Sequence, residues 1–366
     1  MKVASQDVRI GRPLAEVDTP SLILDRAACD RNLARMAEFF RDRPAKLRPH
    51  FKNHKCVTLA KRQLAAGAIG ITCAKLSEAE VLVAAGIGDI LIANQVVGQQ
   101  KVARLARLAR EANLTVAVDH IEQVEAIAAA AREAKAQVHL LIEVDIGMGR
   151  CGVTPGDAAV ALAEQIALVE GVRLAGLQAY EGHLVNVLDR SERGERARAA
   201  MQKAIDTRTL LESRGIAIDC ISGCSSATYD STGTMPGVTE VQAGTYATMD
   251  RQYQRLAPEF EIALGIQVRV ISRPTADKAV LDIGVKGAGC EFGVPAIRGY
   301  PDVEITSFMS EEHAVVKNVP DWRIGDLVEL IPTHACTTCN LHREIVVHDA
   351  GLVTDVWRIE GSGKLT

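Results

Sequence analysis

The feature that most constrains this chain is an alternation of short apolar runs with alanine-rich amphipathic helices, which begins near residue 46. Apolar runs with the length of β-strands recur eight times, at residues 46–51, 68–72, 89–93, 114–118, 138–144, 172–178, 217–221 and 239–242. Helical periodicity fills most of the gaps, at residues 56–66, 77–85, 98–112, 121–135, 155–169 and 190–214. Strand–helix alternation predicts a parallel sheet, and eight such units predict a TIM (β/α)8 barrel.

An open, doubly wound sheet is the alternative that the same alternation allows. Such a sheet is expected to carry a glycine fingerprint directly after its first strand, and residues 46–56 contain no glycine. The sequence therefore predicts an α/β fold with a barrel domain at residues 25–259.

The pattern changes after about residue 256, where strand-like runs follow one another with Gly, Asp and Pro turns and without helices between them. These runs are 266–272, 279–283, 303–307, 313–317, 327–331, 343–348 and 352–359. They predict a C-terminal all-β domain at residues 260–366, to which the N-terminal residues 1–24 are joined.

Composition excludes some partners. A net charge of −4 gives no electrostatic case for nucleic acid or an anionic membrane, and 4% aromatic residues leave little on which bases could stack. The chain has no run of 18 apolar residues, and its first residues carry no secretory signal. Its 9 cysteines are scattered and odd in number, so we expect free thiols in the cytoplasm.

Polar clusters follow the predicted barrel strands, at the strand ends where TIM barrels place their chemistry. Each cluster alone is more simply explained as an ordinary polar turn. Their shared position after eight successive strands is the stronger observation. The clusters are Lys52 and residues 73–75, 94–95, 119–120, 145–150, 180–183, 222–226 and 243–246.

The stretch at residues 48–56 holds two lysines, two histidines and an arginine. A lysine that acts as an amine nucleophile must lose its proton, and neighbouring cations favour that loss. A solvated basic loop is the plain alternative. Lys52 comes where the first strand delivers its side chain to the barrel rim, so it is the predicted reactive lysine, with His50, His54 and Lys55 around it.

The loops after the seventh and eighth strands, residues 222–226 and 244–246, offer small residues, hydroxyls and backbone N–H groups. These are the groups that bind a phosphate, and these loops are the usual phosphate site of a TIM barrel. A phosphate site together with a reactive lysine suggests pyridoxal 5'-phosphate (PLP), whose aldehyde forms a Schiff base with lysine.

The β domain contains a second constellation at residues 333–342. His334 and Cys336 would share one face of a strand, which makes them a sensible pair of ligands for a catalytic metal. A structural zinc site that adds Cys339 and His342 is the alternative. A redox C-x-x-C is less favoured because no thioredoxin-like helix is predicted after it.

The Lys52 stretch resembles the P-H-x-K-x-H-K motif of the D-threonine aldolase and D-serine dehydratase-like family of PLP enzymes, which share the alanine racemase barrel (fold type III). The resemblance keeps order and spacing along nearly the whole chain. It includes residues 18–21, 73–79, 143–145, 149–153, 178–180, 240–246, the His334 segment and 340–342.

The resemblance implies a homodimer in which Lys52 carries the Schiff base, Arg150 lies by the ring nitrogen and Tyr180 lies near the ring. It implies that a divalent metal (Mn, Mg, Zn or Co) is bound by His334 and Cys336. The phosphate would be held by Ser222, Gly223, Gly244, Thr245 and Tyr246.

Three departures from the family pattern affect function. The glycine loop S-G-G-G-T-G is replaced at residues 222–227 by Ser-Gly-Cys-Ser-Ser-Ala. The aldolases carry a histidine, a candidate base, six residues beyond the ring tyrosine, and here that position is Asn186, with His183 nearby in sequence. The metal pair is His-x-Cys, as in the dehydratases, rather than His-x-Asp.

The first hypothesis is a PLP- and metal-dependent lyase that cleaves D-configured β-hydroxy-α-amino acids to glycine and an aldehyde. The rival is dehydration to a 2-oxo acid and ammonia. A non-catalytic PLP carrier and a zinc-binding structural protein are further alternatives, and a racemase is disfavoured because it would leave the metal pair without a role.

Overall fold

The computed structural model describes residues 7–306 and 308–366, so the predicted features at residues 1–6 and at residue 307 lie outside it. The chain divides into two compact units. The unit called here the barrel unit comprises Met36–Lys52, Leu59–Gly244 and Lys364–Thr366. The unit called here the β unit comprises the described residues up to Arg35, with Asn53–Thr58 and Thr245–Gly363.

Helices α2–α7 of the described chain match the predicted helical runs, α1 lies before the first barrel strand, and α8 and α9 are additions. They are α1 (Arg26–Phe40), α2 (Val57–Ala65), α3 (Leu76–Ala84), α4 (Gln99–Leu108), α5 (Ile121–Ala134), α6 (Asp157–Ala167), α7 (Arg190–Ser213), α8 (Arg251–Gln254) and α9 (Ala335–Leu341).

The strands of the described chain fall into two groups, β2–β9 in the barrel unit and the rest in the β unit. They are β1 (Ser21–Asp25), β2 (Lys46–Leu47), β3 (Ile71–Cys73), β4 (Asp89–Ile92), β5 (Asn113–Val118), β6 (Val138–Glu143), β7 (Val172–Ala179), β8 (Cys220–Gly223), β9 (Glu240–Val241), β10 (Leu264–Thr275), β11 (Lys278–Leu281), β12 (Ala296–Ile297), β13 (Glu304–Ile305), β14 (Ala314–Lys317), β15 (Leu327–Ile331), β16 (Glu344–Asp349) and β17 (Leu352–Arg358).

Strands β2–β9 form one parallel sheet in the order β2-β9-β8-β7-β6-β5-β4-β3. The two ends of this sheet meet, because a parallel bridge joins His50 to Thr72 and the Thr72 N–H donates to the Pro49 carbonyl at 2.9 Å. Each predicted apolar run overlaps one of these strands, and helices α2–α7 lie between them. The predicted (β/α)8 barrel is confirmed.

An ion-pair cluster on the buried Arg48 side chain reinforces the seam between the first and last barrel strands. Its guanidinium donates to the Glu240 carboxylate on β9 at 2.9 and 3.0 Å and to Asp89 on β4 at 2.6 Å. A side chain at Gly70 would collide with this guanidinium, since an added Cβ would stand 2.1 Å from Nη1. Of the basic residues in the 48–56 stretch, Arg48 therefore has a structural role in the barrel.

The β unit is built on a mixed sheet. Its strand β1 pairs antiparallel with β10 and parallel with β16, which explains why N-terminal residues belong with the C-terminal ones. Every strand-like run predicted after residue 256 contains a strand, and β12 is an addition. The predicted C-terminal β domain is confirmed as a fold class.

The prediction of a strand at His334 and Cys336 is wrong, and so is the prediction that the C-terminal domain lacks helices. Helix α9 begins directly after His334, and the Asp250 carboxylate accepts the Ala335 N–H at 2.9 Å. The Cys and Thr residues of this segment favour a strand locally. A carboxylate from far away in the sequence caps the helix instead, which local propensity could not show.

Within the described residues, no helix is long and apolar enough to cross a membrane.

Candidate active site

Lys52 lies where the first barrel strand ends, as predicted. The strand direction continues from β2 to the bridge at His50, and a 3₁₀ turn then covers Phe51–Asn53. The Lys52 N–H faces the His50 Nδ1 atom at 3.4 Å, which helps to fix this turn. The half-buried Lys52 side chain therefore starts from a backbone held by the barrel ladder.

The structure brings three of the predicted cofactor residues together. The Lys52 Nζ atom lies 5.7 Å from the centre of the Tyr180 ring, and the Arg150 guanidinium carbon lies 5.9 Å from the same centre. Tyr180 directly follows β7, and Arg150 lies in the loop after β6. An amine, a guanidinium and an aromatic ring thus converge at one end of the barrel unit, as the PLP prediction requires.

Glu143, the last residue of β6, adds a carboxylate to which sequence analysis gave no role. One of its oxygens lies 3.8 Å from the Arg150 guanidinium, and the other accepts a 2.6 Å hydrogen bond from Gln95. Burial raises the pKa of Glu143 above its usual value, although Gln95 and Arg150 oppose that shift. The signal was available, because Glu143 ends barrel strand β6 and Gln95 lies shortly after barrel strand β4.

The predicted phosphate residues are divided between the units. In the barrel unit, Ser222 and Gly223 end β8, and the buried Ser222 hydroxyl accepts a 2.9 Å hydrogen bond from Gln242. Gly244 ends the barrel segment. In the β unit, Thr245 and Tyr246 belong to a buried 3₁₀ turn, Thr245–Ala247.

The loop that departs from the family's glycines keeps a left-handed backbone. Cys224 has φ +66°, a conformation that glycine adopts without strain and that other residues rarely adopt. The loop therefore keeps a glycine-like path with a cysteine, and its small residues and turns fit a phosphate.

Glu181, which lies in the 180–183 cluster and was given no role from the sequence, contacts the segment that follows this loop. Its buried carboxylate accepts hydrogen bonds from the hydroxyls of Thr228 and Thr232, both at 2.7 Å. Burial raises the pKa of Glu181 despite these two hydroxyls and the Cys224 backbone. Its place directly after the ring tyrosine was the only sequence signal.

The two candidate catalytic residues after Tyr180, His183 and Asn186, differ in exposure. The half-buried His183 ring packs against Gly147, where an added Cβ would stand 3.0 Å from the ring, and its buried Nδ1 atom has no hydrogen-bond partner within the described chain. Burial lowers the pKa of His183, with a further contribution from Arg196. Asn186 ends the same 3₁₀ turn, Gly182–Asn186, and is exposed.

In the β unit, His334 and Cys336 lie at the start of α9, and Glu291 orients the histidine. The His334 Nδ1 atom lies 2.6 Å from a Glu291 oxygen, and Thr337 donates to that oxygen at 2.6 Å. Burial opposes the charged imidazole, but Cys336, Asp250 and Glu291 together raise the pKa of His334 to about 10.

This arrangement fits a metal ion. When the Nδ1–H group of His334 donates a hydrogen bond to Glu291, the Nε2 lone pair is available to a metal ion. A carboxylate that accepts from the other ring nitrogen is the usual support of a metal-binding histidine. Cys339 and His342 do not join the pair. In the described part of the chain, no group of three or more His, Cys, Asp or Glu side chains could hold a metal ion. Two protein ligands leave coordination positions open, as catalytic sites do.

The C-x-x-C alternative also changes with the structure, because both cysteines lie in a helix after all. Cys339 is completely buried, and burial raises its pKa far above the usual value. A thiol that resists ionisation is a poor redox nucleophile, so a redox role remains disfavoured for a new reason.

Comparison with known proteins confirms the resemblance. Residues 24–252 match the family described as alanine racemase, N-terminal domain, and residues 263–348 match the putative serine dehydratase domain. The chain is 42% identical to the D-threonine aldolase of an Arthrobacter species, over 96% of this chain and 95% of that protein. It is 34% identical to the 3-hydroxy-D-aspartate aldolase of Paracoccus denitrificans (strain Pd 1222), over 97% and 94%.

A dehydratase relative is more distant. The D-threo-3-hydroxyaspartate dehydratase of Delftia sp. (strain HT23) is 30% identical over 89% of this chain and 92% of that protein. Among solved structures, D-threonine aldolase from Filomicrobium marinum superposes with a TM-score of 0.94 at 38% identity, covering 98% of this chain and 99% of that one.

Proposed function

The chain belongs to the alanine racemase-like family of PLP enzymes, and on that premise we propose that it is a PLP- and divalent-metal-dependent lyase acting on D-configured β-hydroxy-α-amino acids. The proposed reaction breaks the Cα–Cβ bond to give glycine and an aldehyde. The observation that carries the proposal is the convergence of Lys52, Arg150 and Tyr180 in the barrel unit.

When bound, PLP supplies an electron-withdrawing ring that stabilises negative charge at Cα. Lys52 would hold its aldehyde, and Tyr180 would lie against its ring. Arg150 would face the ring nitrogen, with Glu143 and Gln95 limiting how far the guanidinium can move. Ser222, Gly223, Gly244, Thr245 and Tyr246 would hold its phosphate.

A divalent metal held by His334 and Cys336 supplies a Lewis acid that lowers the pKa of a substrate hydroxyl. The candidate metals are Mn, Mg, Zn and Co; an imidazole and a thiolate suit Zn better than the hard ions Mg and Mn. Glu291 keeps His334 in the tautomer that presents Nε2. A D-threo-3-hydroxyaspartate dehydratase mutant that superposes with a TM-score of 0.87 at 27% identity was solved in a metal-free form.

His183 is the proposed base for the β-hydroxyl proton. Its lowered pKa keeps the imidazole neutral near pH 7, so that it can accept a proton. Asn186, which replaces the histidine of the aldolases, cannot accept one at that pH and is proposed to orient substrate by hydrogen bonding. Lys52, once displaced from the cofactor, would carry protons at Cα.

Dehydration is the second candidate, because the His-x-Cys pair and Asn186 follow the dehydratase pattern. Higher identity to two aldolases than to the dehydratase favours cleavage. The racemase and PLP-carrier alternatives leave His334 and Cys336 unused. The enzyme is further proposed to be a cytoplasmic homodimer.

Product analysis tests the proposal. The purified protein, supplied with PLP and Mn²⁺, is incubated with D-threonine and with D-3-hydroxyaspartate, and the products are separated by chromatography. Cleavage predicts glycine in equal amount to the aldehyde. Ammonia with a 2-oxo acid and no glycine would contradict it and establish dehydration instead.

A further inference from the structure

We propose that Asn53 positions the metal ligand Cys336 by donating an N–H hydrogen bond to its sulfur. Asn53 directly follows the cofactor lysine in sequence, and no role was predicted for it. The inference rests on the metal site proposed above, and it concerns only residues of the β unit.

The contact between Asn53 and Cys336 is buried, and Thr248 holds the other end of the Asn53 carboxamide. The Asn53 Nδ2 atom lies 3.8 Å from the Cys336 sulfur, within the range of an N–H···S hydrogen bond. The Asn53 Oδ1 atom accepts a 2.8 Å hydrogen bond from the Thr248 hydroxyl. Asn53 is 1% exposed and Thr248 is 0% exposed, so water does not compete for either group.

The chemistry of the sulfur decides which way the carboxamide points. A cysteine that binds a metal does so as a thiolate, which has lone pairs and no proton. The opposite orientation would place the Asn53 oxygen against that thiolate without any hydrogen between them. The Thr248 hydroxyl therefore holds the orientation in which the amide N–H groups face the sulfur.

A second contact holds the same segment against the same helix. The Lys55 ammonium donates to the side-chain amide oxygen Oδ1 of Asn340 at 2.9 Å. Cys336 and Asn340 are four residues apart on α9, so they lie on one face of the helix, one turn apart. Residues 53–55 are thus attached to α9 at two points, and only the Asn53 contact touches a metal ligand.

Two possible roles of Asn53, anchoring the segment and donating to the metal-bound sulfur, can be separated by experiment. A residue that only anchors the segment would affect folding and little else. A residue that donates to the metal-bound sulfur changes the electronic state of the metal–sulfur bond and the affinity for metal. Supporting groups around metal ligands typically change affinity about 10–100-fold when removed.

The experiment uses full-length protein loaded with PLP and with Co²⁺ in place of the native metal. Asn53→Ala, Asn53→Asp and Thr248→Val are compared with wild type and with Asn340→Ala, which removes the other attachment and leaves the sulfur contact in place. The readouts are the sulfur-to-cobalt charge-transfer absorption and the Co²⁺ dissociation constant from chelator competition. Circular dichroism checks folding.

We expect Asn53→Ala to raise the Co²⁺ dissociation constant about 10–100-fold and to shift the charge-transfer band. Asn53→Asp places a carboxylate against the sulfur and is expected to have the larger effect. Thr248→Val is expected to have a smaller effect of the same kind, and it supplies the test if the Asn53 variants do not fold. Asn340→Ala is expected to keep the band unshifted.

An unshifted band and a wild-type dissociation constant in the folded Asn53 variants would overturn the proposal. An equal shift in Asn340→Ala would overturn it too, since anchoring would then explain the effect. Absence of a sulfur-to-cobalt band in wild type would refute Cys336 as a metal ligand, which is a failure of the proposed site itself.

Discussion

The two groups of candidate catalytic side chains are held in different ways. In the barrel unit, Lys52, Arg150 and Tyr180 each lie in a segment that follows a strand, so the hydrogen-bonded ladder of the barrel holds the start of each segment. In the β unit, His334 and Cys336 lie at the start of a helix of 7 residues, which is too short to be stable by itself. Side chains from distant segments hold that helix in place.

The contacts on α9 show this dependence. Asp250 caps its first turn, Glu291 orients His334, and Asn53 reaches Cys336. We call Lys52, Arg150 and Tyr180 the cofactor group, and His334 and Cys336 the metal group. The cofactor group should keep its geometry when most single neighbouring side chains are removed, whereas the metal group should not.

The largest expected effect is at the centre of the cofactor group. Lys52→Ala removes the amine that would hold PLP, so kcat/KM for cleavage of D-threonine should fall on the order of 10³-fold or more, and the visible absorption of the lysine-bound cofactor should vanish. Lys61→Ala, at an exposed position of α2, is the matched control and should behave as wild type. A Lys52→Ala protein that keeps both the visible absorption and the activity would contradict the assignment of Lys52 as the cofactor-binding lysine.

The next effect separates a two-ligand metal site from a four-ligand one. Cys336→Ala should lower the metal content of purified protein, measured by elemental analysis, and reduce kcat/KM by about 100-fold or more. Cys339→Ala should retain the metal, because no metal-binding group of three or more side chains in the described residues includes that buried thiol. Equal metal loss in both variants would indicate that the C-x-x-C binds zinc structurally.

A smaller effect tests whether the metal group depends on its supports more than the cofactor group does. Asp250 accepts the Ala335 N–H and the Tyr253 N–H, so it caps two helices. Asp250→Ala should lower the free energy of unfolding by about 2 kcal/mol in urea titrations and weaken metal binding. PLP affinity, followed by absorbance, should stay near wild type. An equal loss of PLP affinity would contradict the claim that only the metal group depends on such supporting side chains.

The smallest effect is a pH dependence of stability caused by Glu181, which directly follows Tyr180 of the cofactor group. Burial raises the folded-state pKa of Glu181 above the ordinary value of 4.5, while the unfolded chain ionises near that value. Unfolding therefore gains from ionisation as the pH rises above 4.5, and wild type loses stability relative to Glu181→Gln up to the raised pKa. Urea unfolding of the cofactor-free proteins between pH 5 and pH 8 checks this; a difference independent of pH would contradict it.

The sequence predicted the barrel well because its signal is repeated. Eight apolar runs with helices between them fix the strand order, and a strand that ends at residue 50 leaves Lys52 at the rim. Position relative to a strand also placed Arg150 and Tyr180 in polar clusters at the rim, and the family resemblance then supplied their roles. Glu143 was visible in the same way and was given no role.

The rest depended on contacts between residues far apart in the chain. Asp250 is 85 positions from Ala335, and Asn53 is 283 positions from Cys336. No periodicity reports such contacts, which is why α9 was predicted as a strand and why Asn53 went unnoticed. Glu181 escaped for the same reason, since its partners Thr228 and Thr232 lie in another loop.

The central claim is that the lysine at the end of the first barrel strand holds the cofactor. Borohydride reduction of the PLP-loaded protein, followed by proteolysis and mass spectrometry, tests it directly, because reduction makes the lysine–cofactor bond permanent. We expect the added mass on Lys52 alone. The added mass on Lys55, or on no lysine in residues 48–56, would contradict it.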